Sequence, residues 1–451
     1  MNILMVSLGC DKNLCDSETM LGLLADKGYN ITNDETEADC VIVNTCGFIK
    51  DAMQESIDTL LEMAQLKEGR LKYLIACGCL AERFKDELTT EIPEVDAVVG
   101  TTAFDKIVEV IASLEQSNAD NASITLDKNG KTTAICDLDR LCAPDTTRVI
   151  TSSPYMAYLK IAEGCNKRCT YCIIPRLRGN YRSVPMEKLI REAVALAEQG
   201  IKELILVAQE TTCYGLDIYG EKRLHELIHE LGKIEGIEWI RVMYCYPEEI
   251  TDELIECFKT ESKLLHYIDM PLQHSEDAIL KRMGRKTDKA SIKSIIDKLK
   301  KAAPDIAIRT TLIAGFPGET EEEHKALMEF IDETEFDRLG VFTYSAEEGT
   351  PAAIMPDQVP AETAERYLSE IMELQQEISA DKNETLTGKT LPCIIEGYEP
   401  DEEVYVARSY RDAPGVDGLV FVRSDRDLMS GAIIDVKITE ASEYDLIGEL
   451  L

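Results

Sequence analysis

The chain has 451 residues, 84 acidic against 48 basic, and a formal charge of −36; that length allows about three domains at roughly 150 residues each. Its 45% apolar share supports packed cores and excludes a disordered acidic tail, while the charge argues against direct DNA binding and for a basic partner. No run approaches the roughly 18 apolar residues of a transmembrane helix, and an N-terminus with neither a basic flank nor a long apolar stretch reads as the first strand of a cytoplasmic protein with no membrane attachment.

Three apolar, β-branched runs, at 2–7, 40–44 and 72–76, each precede a helix-like stretch, at 17–27, 53–66 and 81–88. With a further strand at 97–100 and a helix from about Ala103, residues 1–117 read as an α/β domain built on a small doubly wound parallel sheet. Cys10, Cys46 and Cys79 close the three strands, at separations of 36 and 33 residues that each match one β-α repeat. Successive strand ends of a parallel sheet lie along one edge, where ligands bind, so topology predicts that the three thiols converge. Cys79 keeps the strand-end register and opens the next helix. Cys77 falls within the strand and Cys15 at the helix start, and both read as packing residues.

Between 118 and 150 the composition shifts to Asn, Asp, Thr and Ser, with a turn signal at Asn129-Gly130. This predicts an interdomain segment with a short hairpin. The β-α rhythm resumes with strands at 157–161, 203–207, 239–243, 266–269, 307–313 and 338–342, which predicts a parallel, barrel-like sheet over 151–382. Chemistry is expected at its C-terminal strand ends. The loop after the first of these strands carries Cys165, Cys169 and Cys172, spaced Cys-x3-Cys-x2-Cys.

The total of 15 cysteines is odd, which rules out complete internal disulfide pairing, and clustered cysteines then point to metal or reactivity. A structural zinc site takes four protein ligands, yet the next Cys and His after this loop are Cys213 and His225. Three thiolates suit a 4Fe–4S cluster with one iron left open for a substrate or cofactor. After a polar helix from Ala361 to about Lys382, residues 383–451 change to short strands at 391–395, 404–408, 419–423 and 433–439. They predict a small, closed, antiparallel, OB-like β-barrel.

The Cys165, Cys169 and Cys172 spacing is the signature of the radical S-adenosylmethionine (SAM) enzymes, and the chain resembles that superfamily. Ser7-Leu-Gly-Cys10-Asp-Lys-Asn13, Asn44-Thr-Cys46-Gly47-Phe48 and Gly78-Cys79-Leu80-Ala81 resemble the N-terminal domain of its methylthiotransferases. Tyr158 to Cys165, Pro175 to Gly179, Gly315 to Thr320 and Glu348 to Pro351 resemble their radical-SAM core, so the likeness spans nearly the whole chain. It implies a partial (β/α)6 barrel at the centre and a TRAM domain at the C-terminus. It also implies two 4Fe–4S clusters, one per cysteine group. SAM would occupy the open iron of the Cys165 group and be cleaved to a 5′-deoxyadenosyl radical. The sulfur to be inserted would occupy the open iron of the Cys10 group. A sulfur source and a small external electron-donor protein complete the set.

Within that family, Cys10-Asp-Lys-Asn-Leu14, Tyr405 to Pro414 followed by Val416-Asp-Gly418, and Tyr444 to Gly448 resemble the RimO branch. The resemblance implies conversion of an aspartate on the twelfth small-subunit ribosomal protein, free or on the ribosome, to 3-methylthioaspartate. A second branch, which modifies adenosines of transfer RNA, is the alternative, and a non-catalytic iron–sulfur protein docking on ribosomes is the distant one. Cys15 departs from the branch pattern.

Charge separates these readings further. Residues 384–451 hold 15 acidic and 6 basic side chains, a poor surface for RNA and a good one for a basic ribosomal protein. One basic island, Lys160, Lys167, Arg168, Arg176, Arg178 and Arg182, surrounds the Cys165 loop, and at least one of its members is expected to act in the site. Gln209 and Arg309, near barrel strand ends, are the expected SAM-side contacts. His225 and His229 share a helical face without a third ligand and read as a surface pair.

Overall fold

The structure, a computed structural model, describes residues 1–116 and 124–451; the polar stretch 117–123, expected at the start of the interdomain segment, lies outside the described residues. The N-terminal strands run in the order 30–31, 2–7, 40–45, 73–78, 97–99, 132–134 and 125–126. The first six are parallel, and Cys40–Thr45 is buried at every position, as a sheet covered by helices on both faces requires. The hairpin expected at Asn129-Gly130 is present, with the Asp127 carboxylate accepting from the Asn129 and Lys131 amides at 2.8 Å. Its strands extend this sheet: Thr132–Ala134 pairs parallel to Ala97–Val99, so part of the presumed linker is a sheet edge. Edge strands need no continuous apolar run, which is why the polar composition hid it.

The second sheet has six parallel strands in sequential order: Met156–Lys160, Glu203–Val207, Trp239–Val242, Leu264–Asp269, Ala307–Ala314 and Arg338–Thr343. Its end strands do not pair, so the barrel is partial. Amphipathic helices cover it. Met186–Glu198 buries Leu189, Ala193 and Leu196, which share one face at helical spacing. Glu321–Thr334 starts with a capping box between Thr320 and Glu323. Helix Ala361–Glu384 closes the far side, where Gln375 Nε2 donates to the Phe336 carbonyl at 2.9 Å.

The C-terminal barrel is closed by five strands, one more than the sequence pattern predicts. Leu446–Leu450 pairs parallel to Val420–Arg423 and antiparallel to Ile433–Ala441. The segment 408–417 of this barrel docks on the concave side of the six-stranded sheet through ion pairs that are almost wholly buried. Glu203 holds Arg241 at 2.9 Å and Arg408 at 2.5 Å, all three at 0–1% exposure. Arg411 pairs with Asp337 at 2.7 Å, Arg338 with Asp412, and Asp417 accepts from the Tyr267 hydroxyl at 2.8 Å. Among the described residues no helix is long and apolar enough to cross a membrane.

Candidate active site

The order of the first three strands places 30–31 on one side of 2–7 and 40–45 on the other, so the chain direction reverses there. Ligand crevices of open α/β sheets form at such a switch point. Cys10 is the N-cap of helix Asp11–Asp26, Cys46 follows strand Cys40–Thr45, and Cys79 opens helix Cys79–Arg83. Glycine lets these loops close on one another. Gly9 has φ +84°, and a Cβ there would stand 2.8 Å from Cys46 Cβ. A Cβ on Gly47 would stand 2.8 Å from the Cys79 carbonyl carbon. Asn13 Nδ2 stitches the Cys10 and Cys46 loops by donating to Leu8 O at 3.0 Å and Thr45 O at 3.1 Å.

Burial pushes the Cys46 thiol up, and the Cys10 sulfur beside it acts in the same direction. Cys79 is pushed up to about 11, by burial first, against the opposing charge of Arg178. Cys77 lies in the strand with its Sγ 3.5 Å from Val43 O, and Cys15 is buried against Tyr158 O at 3.5 Å.

Cys165, Cys169 and Cys172 occupy the loop after the short strand Ala162–Glu163. Cys165 N donates to Gly179 O at 3.2 Å, Thr170 N to Met283 O at 2.9 Å and Cys172 N to Cys169 O at 3.1 Å, which fixes the loop at three points. Burial pushes Cys165 up to about 12 and moves Cys172 upward too, with the neighbouring Cys169 sulfur adding to both.

In neither trio do all three donors lie within 4.8 Å of one another; the one group of three that does, among the described residues, is Glu210, Cys213 and Glu249. Tetrahedral zinc with arms of about 2.3 Å would hold its sulfurs roughly 3.8 Å apart. Neither set of three thiols forms that compact arrangement, and three thiolates without a fourth protein donor leave one iron of a 4Fe–4S cluster open. The Glu210, Cys213 and Glu249 group, which sequence spacing does not reveal, already has the Lys167 ammonium against Glu249.

One segment joins the two cysteine groups. Beyond strand Trp239–Val242, Tyr244 adopts φ +60°, a conformation that favours glycine. Its hydroxyl donates to Asp11 at 3.3 Å, and Lys12 Nζ lies 3.1 Å from its ring centre, beside Cys10. Two residues on, the Tyr246 ring lies under the Arg285 guanidinium at 4.1 Å and 5.3 Å from the Lys167 ammonium of the Cys165 loop. A cavity of about 390 Å³ opens here, lined by Cys10, Asp11, Tyr158, Met243, Tyr244 and the C-terminal-barrel residues Ala413 to Val416. A wider one of about 860 Å³ sits elsewhere, among Trp239, Leu264, Ile306, Asp337 and Arg411, at the starts of the barrel strands. Chemistry in such barrels belongs to the opposite ends.

The basic island is mostly neutralised. Arg178, 1% exposed, donates Nη1 to Asp16 at 2.8 Å and to Glu163 at 3.0 Å, Nη2 to Asn13, and Nε to Cys79 Sγ at 3.4 Å. Lys160 pairs with Asp16 and with Glu163 at 2.7 Å. Gln209 Nε2 donates to Glu163 at 2.8 Å, while its Oε1 is buried without a partner. Arg309 binds Asp269 at 2.7 Å and Asp417 at 3.3 Å, so it ties the central sheet to the C-terminal barrel. His229 pairs with Glu261 at 2.9 Å, apart from His225.

Comparison with known proteins matches each of the three domains to a family. Residues 2–100 match a family described as Uncharacterized protein family UPF0004, residues 159–331 the Radical SAM superfamily, and residues 387–451 the TRAM domain. A Lachnoclostridium phytofermentans protein named Ribosomal protein uS12 methylthiotransferase RimO is 54% identical over 449 residues, 99% of each chain. Its namesake in Clostridioides difficile is 47% identical over 452 residues, covering 100% of this chain and 99% of that one. The solved radical SAM methyltransferase TsrM from Kitasatospora setae, with cobalamin and a 4Fe-4S cluster bound, superposes with a TM-score of 0.57. At 13% identity over 87% of this chain and 80% of that one, it shares the fold.

Proposed function

The chain belongs to the ribosomal protein uS12 methylthiotransferase RimO family, and on that premise we propose how its residues divide the reaction. The enzyme is a radical-SAM methylthiotransferase acting on ribosomal protein uS12. Its target is an aspartate and its product 3-methylthioaspartate. When bound, a reduced 4Fe–4S cluster with SAM supplies the one-electron chemistry that an unactivated β-carbon needs, while a second cluster supplies a seat for sulfur and a second SAM the methyl group.

Cys165, Cys169 and Cys172 hold the SAM-binding cluster, and Cys10, Cys46 and Cys79 the second. Gln209 contributes its free Oε1 on the SAM side. Arg309, expected there too, has its guanidinium committed to Asp269 and Asp417, and we assign it to holding the C-terminal segment 413–417 under the cavity. Tyr244 lines the cavity beside Cys10, and Tyr246 packs against Lys167 of the Cys165 loop, so the 244–246 segment spans from one cysteine loop to the other. The reading is carried by this juxtaposition: two cysteine trios, each at strand ends, with one three-residue segment in contact with the helix after Cys10 through Tyr244 and with Lys167 of the Cys165 loop through Tyr246.

The working division is an N-terminal domain that includes the 125–134 hairpin, a radical-SAM core over 151–382 and a TRAM barrel over 383–451. A sulfur source and a small electron-donor protein act from outside, and the setting is the cytoplasm. The TRAM surface favours uS12 over transfer RNA: with the buried Asp412, Asp417, Arg408 and Arg411 set aside, 13 acidic against 4 basic residues between 384 and 451 remain to attract a basic protein and repel phosphate.

Substitution separates the two centres. Cys169→Ala abolishes SAM cleavage, whereas Cys46→Ala leaves cleavage intact and stops sulfur insertion. Methylthiolated uS12 from the Cys46 variant would overturn the assignment, as would about four irons rather than about eight in anaerobically purified protein.

A further inference from the structure

Six cations surround the radical-site loop, but one of them reaches a cysteine of the other group. The Arg178 guanidinium lies 3.4 Å through Nε from Cys79 Sγ. Its remaining contacts are fixed by Asp16 and Asn13, from the helix that starts after Cys10, and by Glu163, which precedes the Cys165 loop. Glu163 in turn accepts from Gln209 Nε2 through its other oxygen. A continuous chain therefore runs Gln209, Glu163, Arg178, Cys79, from the SAM side of the central barrel to a thiol of the N-terminal domain.

Two features make this more than a structural ion pair. First, Asp16 and Glu163 are balanced by Lys160 as well as by Arg178, so the guanidinium is not consumed as their sole counter-charge. Second, it spends a donor on sulfur, a weak acceptor when neutral and a strong one as a metal-bound thiolate. Hydrogen bonds and positive charge at cluster sulfurs favour the reduced, more negative state and raise the reduction potential.

We propose that Arg178 is a positioning residue that sets the reduction potential of the cluster held by Cys10, Cys46 and Cys79, with Glu163 acting against it through the same guanidinium. The proposal rests on the two-cluster reading above and deepens it. Arg178 favours electron uptake at the sulfur-bearing centre; Glu163, an anion at the other end of the same contact, opposes it. The two side chains shift the potential in opposite directions, which a merely structural role does not do.

The test uses the full chain with Cys165, Cys169 and Cys172 all changed to Ala, so that the N-terminal cluster alone is loaded, and follows its midpoint potential by EPR-monitored redox titration. Arg178→Gln and Arg178→Lys, which both lack the Nε donor, are expected to lower the potential. The expected scale is a tenfold change in the one-electron equilibrium, about 59 mV. Glu163→Gln is expected to raise it. Arg178→Lys is the second variant should Arg178→Gln lose iron. If the parent itself binds no iron, the two-cluster reading fails. If it binds iron and the Arg178 and Glu163 variants titrate with the parent or shift in the same direction, the Arg178 proposal alone is overturned.

Discussion

Glu203→Ala tests the docking of the TRAM barrel. The carboxylate is wholly buried and shared by Arg241 and Arg408. After its removal Arg408 keeps Glu396 at 2.9 Å, but Arg241 keeps only the Tyr410 carbonyl at 2.9 Å and the Tyr267 ring at 4.4 Å. An uncompensated buried guanidinium of this kind costs about 3–5 kcal/mol. For a unit of 150–250 residues that lowers the midpoint by roughly 6–20 °C. The assay is scanning calorimetry of the metal-free protein, following the transition that contains the TRAM barrel, because a multidomain chain need not unfold in one step. In a double-mutant cycle Arg241→Ala should relieve the loss, with a coupling of about 0.5–3 kcal/mol. The pH dependence follows from the same charges. Burial raises the Glu203 pKa, but Arg408 and Arg241 outweigh it and hold the group below its ordinary 4.5. A depressed carboxylate contributes stability above its unfolded value and loses it as pH falls through its folded one. The gap between wild type and Glu203→Ala should then be full at neutral pH and close progressively below about pH 4.5. A loss under about 1 kcal/mol, strict additivity with Arg241→Ala, or a gap that widens in acid would refute the reasoning.

Two other outcomes follow from the same geometry. Gly9→Ala forces a side chain into a position with φ +84° and 2.8 Å from Cys46 Cβ, so the purified enzyme should lose the iron of the N-terminal site while retaining SAM cleavage; full iron content would show that the loops have slack. Association with uS12 should slow by at least several-fold when ionic strength rises from about 0.01 to 0.15 M, since the Debye length shrinks from about 30 to 8 Å, and a salt-independent rate would remove charge steering.

Local spacing put Cys165, Cys169 and Cys172 in one loop, and a β-α repeat length put Cys10, Cys46 and Cys79 at three strand ends, which is where the structure has them, because topology alone brings successive strand ends to one edge. The TRAM docking surface was not legible. Arg408, Arg411 and Asp417 find Glu203, Asp337 and Arg309 across long stretches of chain, and nothing in their local sequence announces a buried partner. Leu446–Leu450 pairs with Ile433–Ala441 across a short turn, but its run Leu-Ile-Gly-Glu-Leu has no alternation that marks a strand, and its other partner, Val420–Arg423, is non-local. The basic island could be seen as a cluster of charges, but choosing Arg178 from it needed the positions of Asp16, Asn13 and Cys79, all from another domain. The polar edge hairpin at 125–134 carried a turn signal without any hint of which sheet it would join.

This enzyme methylthiolates uS12. Mass spectrometry of uS12 from cells with and without the gene tests it most directly. A methylthio group on one aspartate should disappear on deletion and return with the wild-type gene but not with Cys46→Ala. An aspartate that stays methylthiolated in the deletion strain, with methylthio-adenosine missing from transfer RNA instead, would contradict it.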